Sequence, residues 1–527
     1  MASLSLIAGI AAVVLVLRYV FIRLFRPSTV KDLRGPPSPS FWIGNEQDIR
    51  YQDQVGDVEF KWMHDYGNAW RIAGNLGEDV LMITDPKAIQ YILHTSGYKY
   101  PKPEENRGFV RLIVGQGIIW AEGETHRRQR KIMNPAFSPA QLRSFLPLFQ
   151  HHTQRLIQKW REELVGKGAV FSGATINIAP WLSRATLDII AAAGFNYDVG
   201  ALDNASSELH QQYANLFIDS TLYPSMFDTI FKSFWKYIPS DILHFVRFLP
   251  SREYTRFRNY TQFMRKFAPE IIRKNESAGS KDIITVLQQA NASEDAKTRL
   301  SDVEVWDQVA TLLVAGHDTT ATALTFFLWE LAKDPAWQAK IRDEIQTARA
   351  HVCARGDEDF SIADLEGLPA LQAALKESLR LHPIVWSGQR TATEADVIPL
   401  AYPIVTKSGQ HISEIPIQKG QKVTISTCAY NRMPEIWGPK AHEWHPQRFL
   451  DIDKSKQTGV GVYANLECWQ AQLLIIEQQA IAAALLENFD FTIPDKPAVI
   501  HRKPTAIMMP LADGLGLWMG LKVKSVQ

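Results

Sequence analysis

The chain has 527 residues, 46% of them apolar, with 57 Lys and Arg against 56 Asp and Glu. A net charge of +1 gives no reason to expect a nucleic-acid partner, and three cysteines, few and odd in number, imply no disulfide framework and a reducing compartment. The length suits one large domain or two, and the chain carries no internal repeat and no low-complexity block.

Met1 to Leu17 is uncharged, and Leu4 to Ile22 as a helix would span about 28 Å, close to the hydrocarbon thickness of a bilayer, with Arg18 reaching toward one interface. A cleaved signal peptide needs positive charge before its apolar run. Here Arg18, Arg23, Arg26, Lys31 and Arg34 all lie within or after it, which favours an anchor with the body on the cytosolic side. The N-x-S/T sequons at Asn204, Asn259, Asn275 and Asn291 would then go unused. The expected organisation is an anchor over 1–26, a proline-rich hinge over 27–44 and a single body over 45–527. Within the hinge, Arg34-Gly-Pro-Pro-Ser-Pro39 reads as a stiff connector that fixes how the body sits on the membrane, or as an ordinary domain-start loop.

Alternation around Ala69–Ala73 and Asp79–Ile83, separated by Gly74-Asn-Leu-Gly77, predicts a hairpin, and Asp85-Pro86 opens a helix. Trp120 to Lys131 is basic. It reads as a solvated helix face, a nucleic-acid patch, or, with His126 and Arg130 four apart on one face, a grip for an anionic group. Tyr223 to Pro250 is rich in aromatics, including Phe227, Phe231, Phe234, Trp235, Phe245 and Phe248. Such a stripe belongs to a core or, in an anchored protein, to an entrance dipping into the bilayer.

The next stretch, Ser301 to Pro335, has capping-box spacing at Ser301 and Glu304 and a stop at Asp334-Pro335. A helix between them would be about 48 Å long. It is apolar on every face, so it is buried in a core or spans a membrane, and His317 and Asp318 near its centre argue against a span. Ala315-Gly316-His317-Asp318-Thr319-Thr320 places a small residue beside an acid and two hydroxyls, which suits a large ligand lying against the helix with a proton path beside it. Leu371 to Leu381 carries Glu377 and Arg380 at i,i+3, a surface pair or, given the apolar residues around it, a buried one. Arg390 and then Pro446-Gln-Arg448-Phe449 follow, and Arg448 could join Glu377 and Arg380 in a network.

Taken in order, Ala315–Thr320, Glu377-x-x-Arg380, Pro446-x-Arg448-Phe449 and Cys468 before an apolar helix resemble a cytochrome P-450 monooxygenase of the microsomal fungal type, over essentially the whole chain. The resemblance implies a mainly α fold with a long central helix over haem and small β-sheets, beside the N-terminal transmembrane helix. It further implies that His126, Arg130 and Arg390 hold the haem propionates and that Gly316 lets the helix approach the porphyrin. Asp318 and Thr319 would relay protons to dioxygen, Glu377, Arg380 and Arg448 would form a structural triad, and Cys468 would be the iron ligand. The partners implied are O2, an NADPH-dependent reductase, an apolar small-molecule substrate and the endoplasmic reticulum membrane, in a setting such as secondary-metabolite biosynthesis.

One stretch departs from that pattern. The family's ligand loop reads Phe-x-x-Gly-x-Arg-x-Cys-x-Gly, and here Gly461, Ala464, Leu466 and Gln470 stand in the four places around Cys468. The disturbance is bounded by family-like sequence over Gly459–Leu466 and by Glu477, which keeps the family's distance from the cysteine. A haem-free protein of the same fold, acting as a membrane-bound binding or scaffold protein, is the alternative this departure raises. A lipid-handling membrane protein that keeps the motifs as structural relics is a weaker one.

Overall fold

The computed structural model describes residues 28–213, 216–276, 282–295, 297–451, 458, 460 and 471–526. The expected anchor at 1–26, the first residue of the hinge, and Cys468 with its loop lie outside these residues. Among the described residues no helix is long and apolar enough to cross a membrane.

The first regular strands are β1 (Ala69–Ala73) and β2 (Asp79–Ile83), antiparallel with Ala69 opposite Ile83. Their connection turns through Leu76 and Gly77, both at positive φ, where glycine relieves the strain of the left-handed region. Asp85 then caps the helix Pro86–Gln90 by accepting from the amides of Lys87 and Ala88. Two later strands complete the sheet. They are β3 (Ser387–Thr391) and β4 (Lys422–Ser426), with β4 parallel to β2 and antiparallel to β3, in the order β1-β2-β4-β3. A separate apolar cluster packs on this sheet, centred on Trp70, Leu81, Ile83 and Val423.

The larger core is helical. Among its helices are α1 (Glu104–Val114), α2 (Gly123–Met133), α3 (Ile178–Phe195), α4 (Glu208–Tyr213), α5 (Arg252–Glu276), α6 (Asp302–Lys333), α7 (Pro369–Leu381) and α8 (Ala471–Asn488). The 32 residues of α6 run through its middle. Ser301 accepts from the Glu304 amide while Glu304 accepts back from the Ser301 amide, a reciprocal cap that fixes the start of the helix. Asp334 ends it and caps the next helix by accepting from the Trp337 amide. Between Gln308 and Leu328 every residue of α6 is buried except Ala315, Asp318 and Thr319. It is a core helix, which decides between the two readings of its apolar faces.

Helix α3 lies directly against α6. A Cβ built at Gly316 would stand 2.5 Å from Ile190 Cγ1, so the missing side chain admits α3. The glycine therefore serves helix–helix packing at this position. Thr186 of α3 donates to the carbonyl of His317 at 3.0 Å across the same contact.

Candidate functional site

Three features of the core have the chemistry of a site, beginning with the middle of α6. The first is its accessible strip. Ala315, Asp318 and Thr319, at i, i+3 and i+4, share one face and are the only residues of that stretch with exposed surface. Thr319 Oγ1 donates to the Ala315 carbonyl at 2.7 Å, which leaves the oxygen able to accept a further hydrogen bond. Thr320 faces elsewhere, donating to the Gly316 carbonyl at 3.1 Å with Glu477 Oε2 of α8 3.3 Å away.

The second feature is the acid itself. Asp318 Oδ1 lies 3.0 Å from His317 Nε2, and His317 Nδ1 lies 2.8 Å from the Leu313 carbonyl. His317 is fully enclosed, with the Tyr213 ring edge-on at 5.0 Å. Burial pushes its pKa down, but Asp318 and the Leu313 carbonyl more than reverse this, so it stands above the ordinary histidine value.

The third is a basic rim. Arg390 on β3 is held beside the chain that precedes α1, because the Thr391 amide donates to the Pro101 carbonyl at 2.9 Å and Asn106 bonds Gln389 at 3.0 Å. Lys102 sits in that segment, its Nζ 2.7 Å from Glu122 and 3.2 Å from the Ala121 carbonyl. Burial pulls the Lys102 pKa down, and the nearby Arg390 and Arg107 add to the effect. His126 on α2 pairs through Nδ1 with the Tyr98 hydroxyl at 2.9 Å. Burial, with Lys102 and Arg130 nearby, lowers its pKa to about 4, so the ring is neutral at pH 7. The other cations of α2 have carboxylate partners: Arg128 with Glu304 in the α6 cap, Lys131 with Glu294, and Arg127 with Glu124. His126 and Arg130 lie in the surroundings of Lys102, and Lys102 in those of Arg390.

The Glu377–Arg380 pair is a fully buried fastening, joined by the half-buried Arg448. Arg380 meets Glu377 through two parallel bonds of 2.7 and 2.8 Å, and it also donates to the Asn431 and Ala441 carbonyls at 2.7 and 2.6 Å. Arg448 adds a bond of 3.1 Å to Glu377 and one of 2.7 Å to the Trp437 carbonyl. Burial raises the Glu377 carboxyl, yet the two arginines bring it below its usual value, so it is ionised. These bonds tie 431–448 to α7, a structural rather than a chemical task.

Two of the three cysteines are described. Cys353 is exposed, and burial with Glu59 nearby pushes the Cys428 thiol up to about 12, so it is not a thiolate. A cavity of about 630 Å³ opens between Trp329, Glu330, His382, Arg432 and Arg502. Trp329 is about 15 Å along α6 from Thr319, so this cavity is separate from the Ala315–Thr319 strip.

A flat apolar group with an anionic edge fits what the core offers. The strip on α6 is the place where a large body can lie against the buried helix, and Lys102, His126, Arg130 and Arg390 supply the complement to acidic substituents. Lys102, Tyr98 and Glu122 were not singled out from the sequence.

The family model for cytochrome P-450 matches residues 34–463. Cytochrome P-450 monooxygenase 205 of Postia placenta is 32% identical over 533 residues, covering 95% of this chain and 94% of that protein. Cytochrome P-450 monooxygenase 128 of the same fungus is 31% identical over 515 residues, 92% of this chain and 90% of its own. Cytochrome P-450 monooxygenase claP of Ampulloclitocybe clavipes is 29% identical over 525 residues, 96% of this chain and 95% of its own. The family match stops five residues before Cys468, at the loop where the sequence departs from the ligand pattern.

Proposed function

The chain belongs to the cytochrome P-450 monooxygenase family, whose members use haem b iron with dioxygen, an organic substrate and a redox partner; from that premise we propose a membrane-bound haem-thiolate monooxygenase that oxidises an apolar small molecule. Its electrons would come from NADPH through a reductase, its setting would be the cytosolic face of the endoplasmic reticulum, and its product would belong to secondary metabolism. The observation that carries this reading is the strip Ala315–Asp318–Thr319, the break in the otherwise buried stretch Gln308–Leu328.

Haem would supply dioxygen activation at this site, with a cysteine thiolate as the ligand that favours O–O cleavage. In this assignment Cys468 is the thiolate, and His126, Arg130, Arg390 and Lys102 hold the acidic edge. Ala315 allows close approach. Asp318 relays a proton through its carboxylate, and Thr319 accepts a hydrogen bond at Oγ1 from a group in the space before it. The buried helix around the strip excludes bulk water from the remaining faces.

Support for the membrane comes from exposed aromatics. Phe227 is 79% exposed, and Phe245 and Phe248 are each 58% exposed. Tyr223 stacks on Tyr51 at 5.4 Å, and Leu76 donates to the carbonyl of exposed Trp42, so this surface continues into the chain that follows the hinge. The reading of Trp235 as part of it is corrected: Trp235 is 1% exposed and packs in the core. The test is turnover with a reductase, NADPH and labelled dioxygen against a panel of apolar substrates. Incorporation of one labelled oxygen into a product supports the proposal, and a haem-loaded protein that labels no substrate contradicts it.

A further inference from the structure

Both ring nitrogens of His317 face hydrogen-bond acceptors. Nδ1 is 2.8 Å from the Leu313 carbonyl, which can only accept, and Nε2 is 3.0 Å from Asp318 Oδ1. A neutral imidazole has one N–H. Given to the carbonyl, it leaves the Nε2 lone pair pointing at a carboxylate oxygen, two acceptors face to face in a dry core. The contact is satisfied when one further proton lies between them, either on Nε2 of an imidazolium or on Oδ1 of a carboxylic acid. Among the described residues, Asp318 is the anion that acts on His317. From α3 come Thr186, which bonds the His317 carbonyl, and the Arg184 guanidinium. From α4 come His210, whose own pKa is lowered by burial and by Arg184, and Tyr213. From α5 comes Tyr260, whose hydroxyl is 2.5 Å from that of Tyr213.

We propose that His317 and Asp318 share one proton, and that this pair is a buried acid held in readiness behind Thr319, with His317 a positioning residue acting through Asp318. The proposal rests on the reading of Asp318 and Thr319 as the proton-delivering face. In the transfer, the Nε2–H bond breaks and an Oδ1–H bond forms. The imidazolium becomes a neutral imidazole that keeps Nδ1–H on the Leu313 carbonyl, and the carboxylate becomes an acid. Asp318 reaches the accessible strip and His317 does not, so the acid releases the proton on the strip side and solvent protons restore the pair. A neighbour on the same helix thus supplies the counter-charge.

The test needs no bound cofactor, so it separates this inference from the oxygenase reading. Thermal unfolding midpoints of the full chain are measured from about pH 5.5 to 8, the range that brackets the ordinary histidine pKa, for the native chain, Asp318→Asn, His317→Gln and the double variant. In the native chain the folded pair holds a proton that the unfolded histidine loses above about pH 6.5, so its contribution to stability is present at low pH and is lost as pH rises. In Asp318→Asn the buried imidazole has no anion and stays neutral when folded, so the same histidine destabilises as pH falls. The midpoint difference between native chain and Asp318→Asn should therefore shrink as pH rises. Between His317→Gln and the double variant it should stay flat, all four chains carrying His210→Gln because that ring lies within electrostatic reach of both His317 and Asp318. Parallel pH dependences for the native chain and Asp318→Asn would overturn the shared proton, and so would an equal slope in the His317→Gln background. The oxygenase reading would stand under either outcome.

Discussion

Glu477 Oε2 on α8 lies 3.3 Å from Thr320 Oγ1 on α6, and Thr320 passes its own hydrogen to the Gly316 carbonyl at 3.1 Å. For that chain to close, Glu477 must be the donor and hence protonated. Burial without a cation pushes its carboxyl up to about 8, with Thr320 only partly offsetting the shift. The helix that follows the ligand loop is thus pinned to the helix of the Asp318–Thr319 strip by a neutral acid.

A glutamine keeps the donor and removes the titration. Folded Glu477 binds a proton up to about pH 8, while an unfolded glutamate loses it near 4.5, so the native chain loses stability as pH climbs through that interval. Glu477→Gln should gain on the native chain steadily from about pH 5 to 8 in denaturant unfolding. A constant difference across that range would mean that Glu477 is ionised when folded.

Gly316→Ala removes the helix penalty of glycine, about 1 kcal/mol, but drives a methyl into Ile190. Overpacking of this kind costs about 1–3 kcal/mol, so a net loss of stability is expected. Ile190→Val, which shortens the opposing side chain, should recover part of it in the double variant. A Gly316→Ala chain at least as stable as the native one would show that α3 gives way easily.

Some of this was legible in the sequence and some was not. The hairpin at Ala69–Ile83, the Ser301–Glu304 box and the stop at Asp334-Pro335 rest on local rules, and the observed elements begin and end where those rules place them. Glu377 and Arg380 were readable as a pair by spacing, while their complete burial depends on the 431–448 segment folding over them. The partner of Gly316 was not readable, because Ile190 is far away in sequence and only tertiary packing brings it close. In the Tyr223–Pro250 stretch, composition did not separate the buried Trp235 from the exposed Phe227. Helix phase and neighbours decide that.

Truncation of residues 1–25 should release the protein from microsomes only partly, because Phe227, Phe245 and Phe248 offer a second apolar contact. Adding Phe227→Ser, Phe245→Ser and Phe248→Ser should complete the release, as read by flotation with vesicles. Complete release by truncation alone would remove that role from the aromatic surface.

Thr319→Ala deletes the hydroxyl on the accessible strip while leaving α6 intact, since its hydrogen bond runs to its own helix at Ala315. In a turning-over enzyme the variant should divert NADPH electrons into peroxide, because proton delivery in the transition state is impaired. The ratio of product to NADPH consumed measures this, and an unchanged ratio would remove Thr319 from the pathway.

The central claim is that this body is built around haem and that the departure from the family is confined to the ligand loop. No glycine lies between Ala464 and Ala471, and Glu467 beside Cys468 opposes a thiolate by like charge. The chain should accordingly hold haem below stoichiometry. The most direct test is the absorption spectrum of the reduced, carbon-monoxide-treated protein, recorded for this chain and for one whose loop before α8 is restored to Phe-x-x-Gly-x-Arg-x-Cys-x-Gly. The account predicts a weak or absent thiolate band for the first and a full one for the second. A folded, loop-restored protein without that band would contradict the claim that the body is a haem site, and a full band from the unaltered chain would contradict the claim that its loop is impaired.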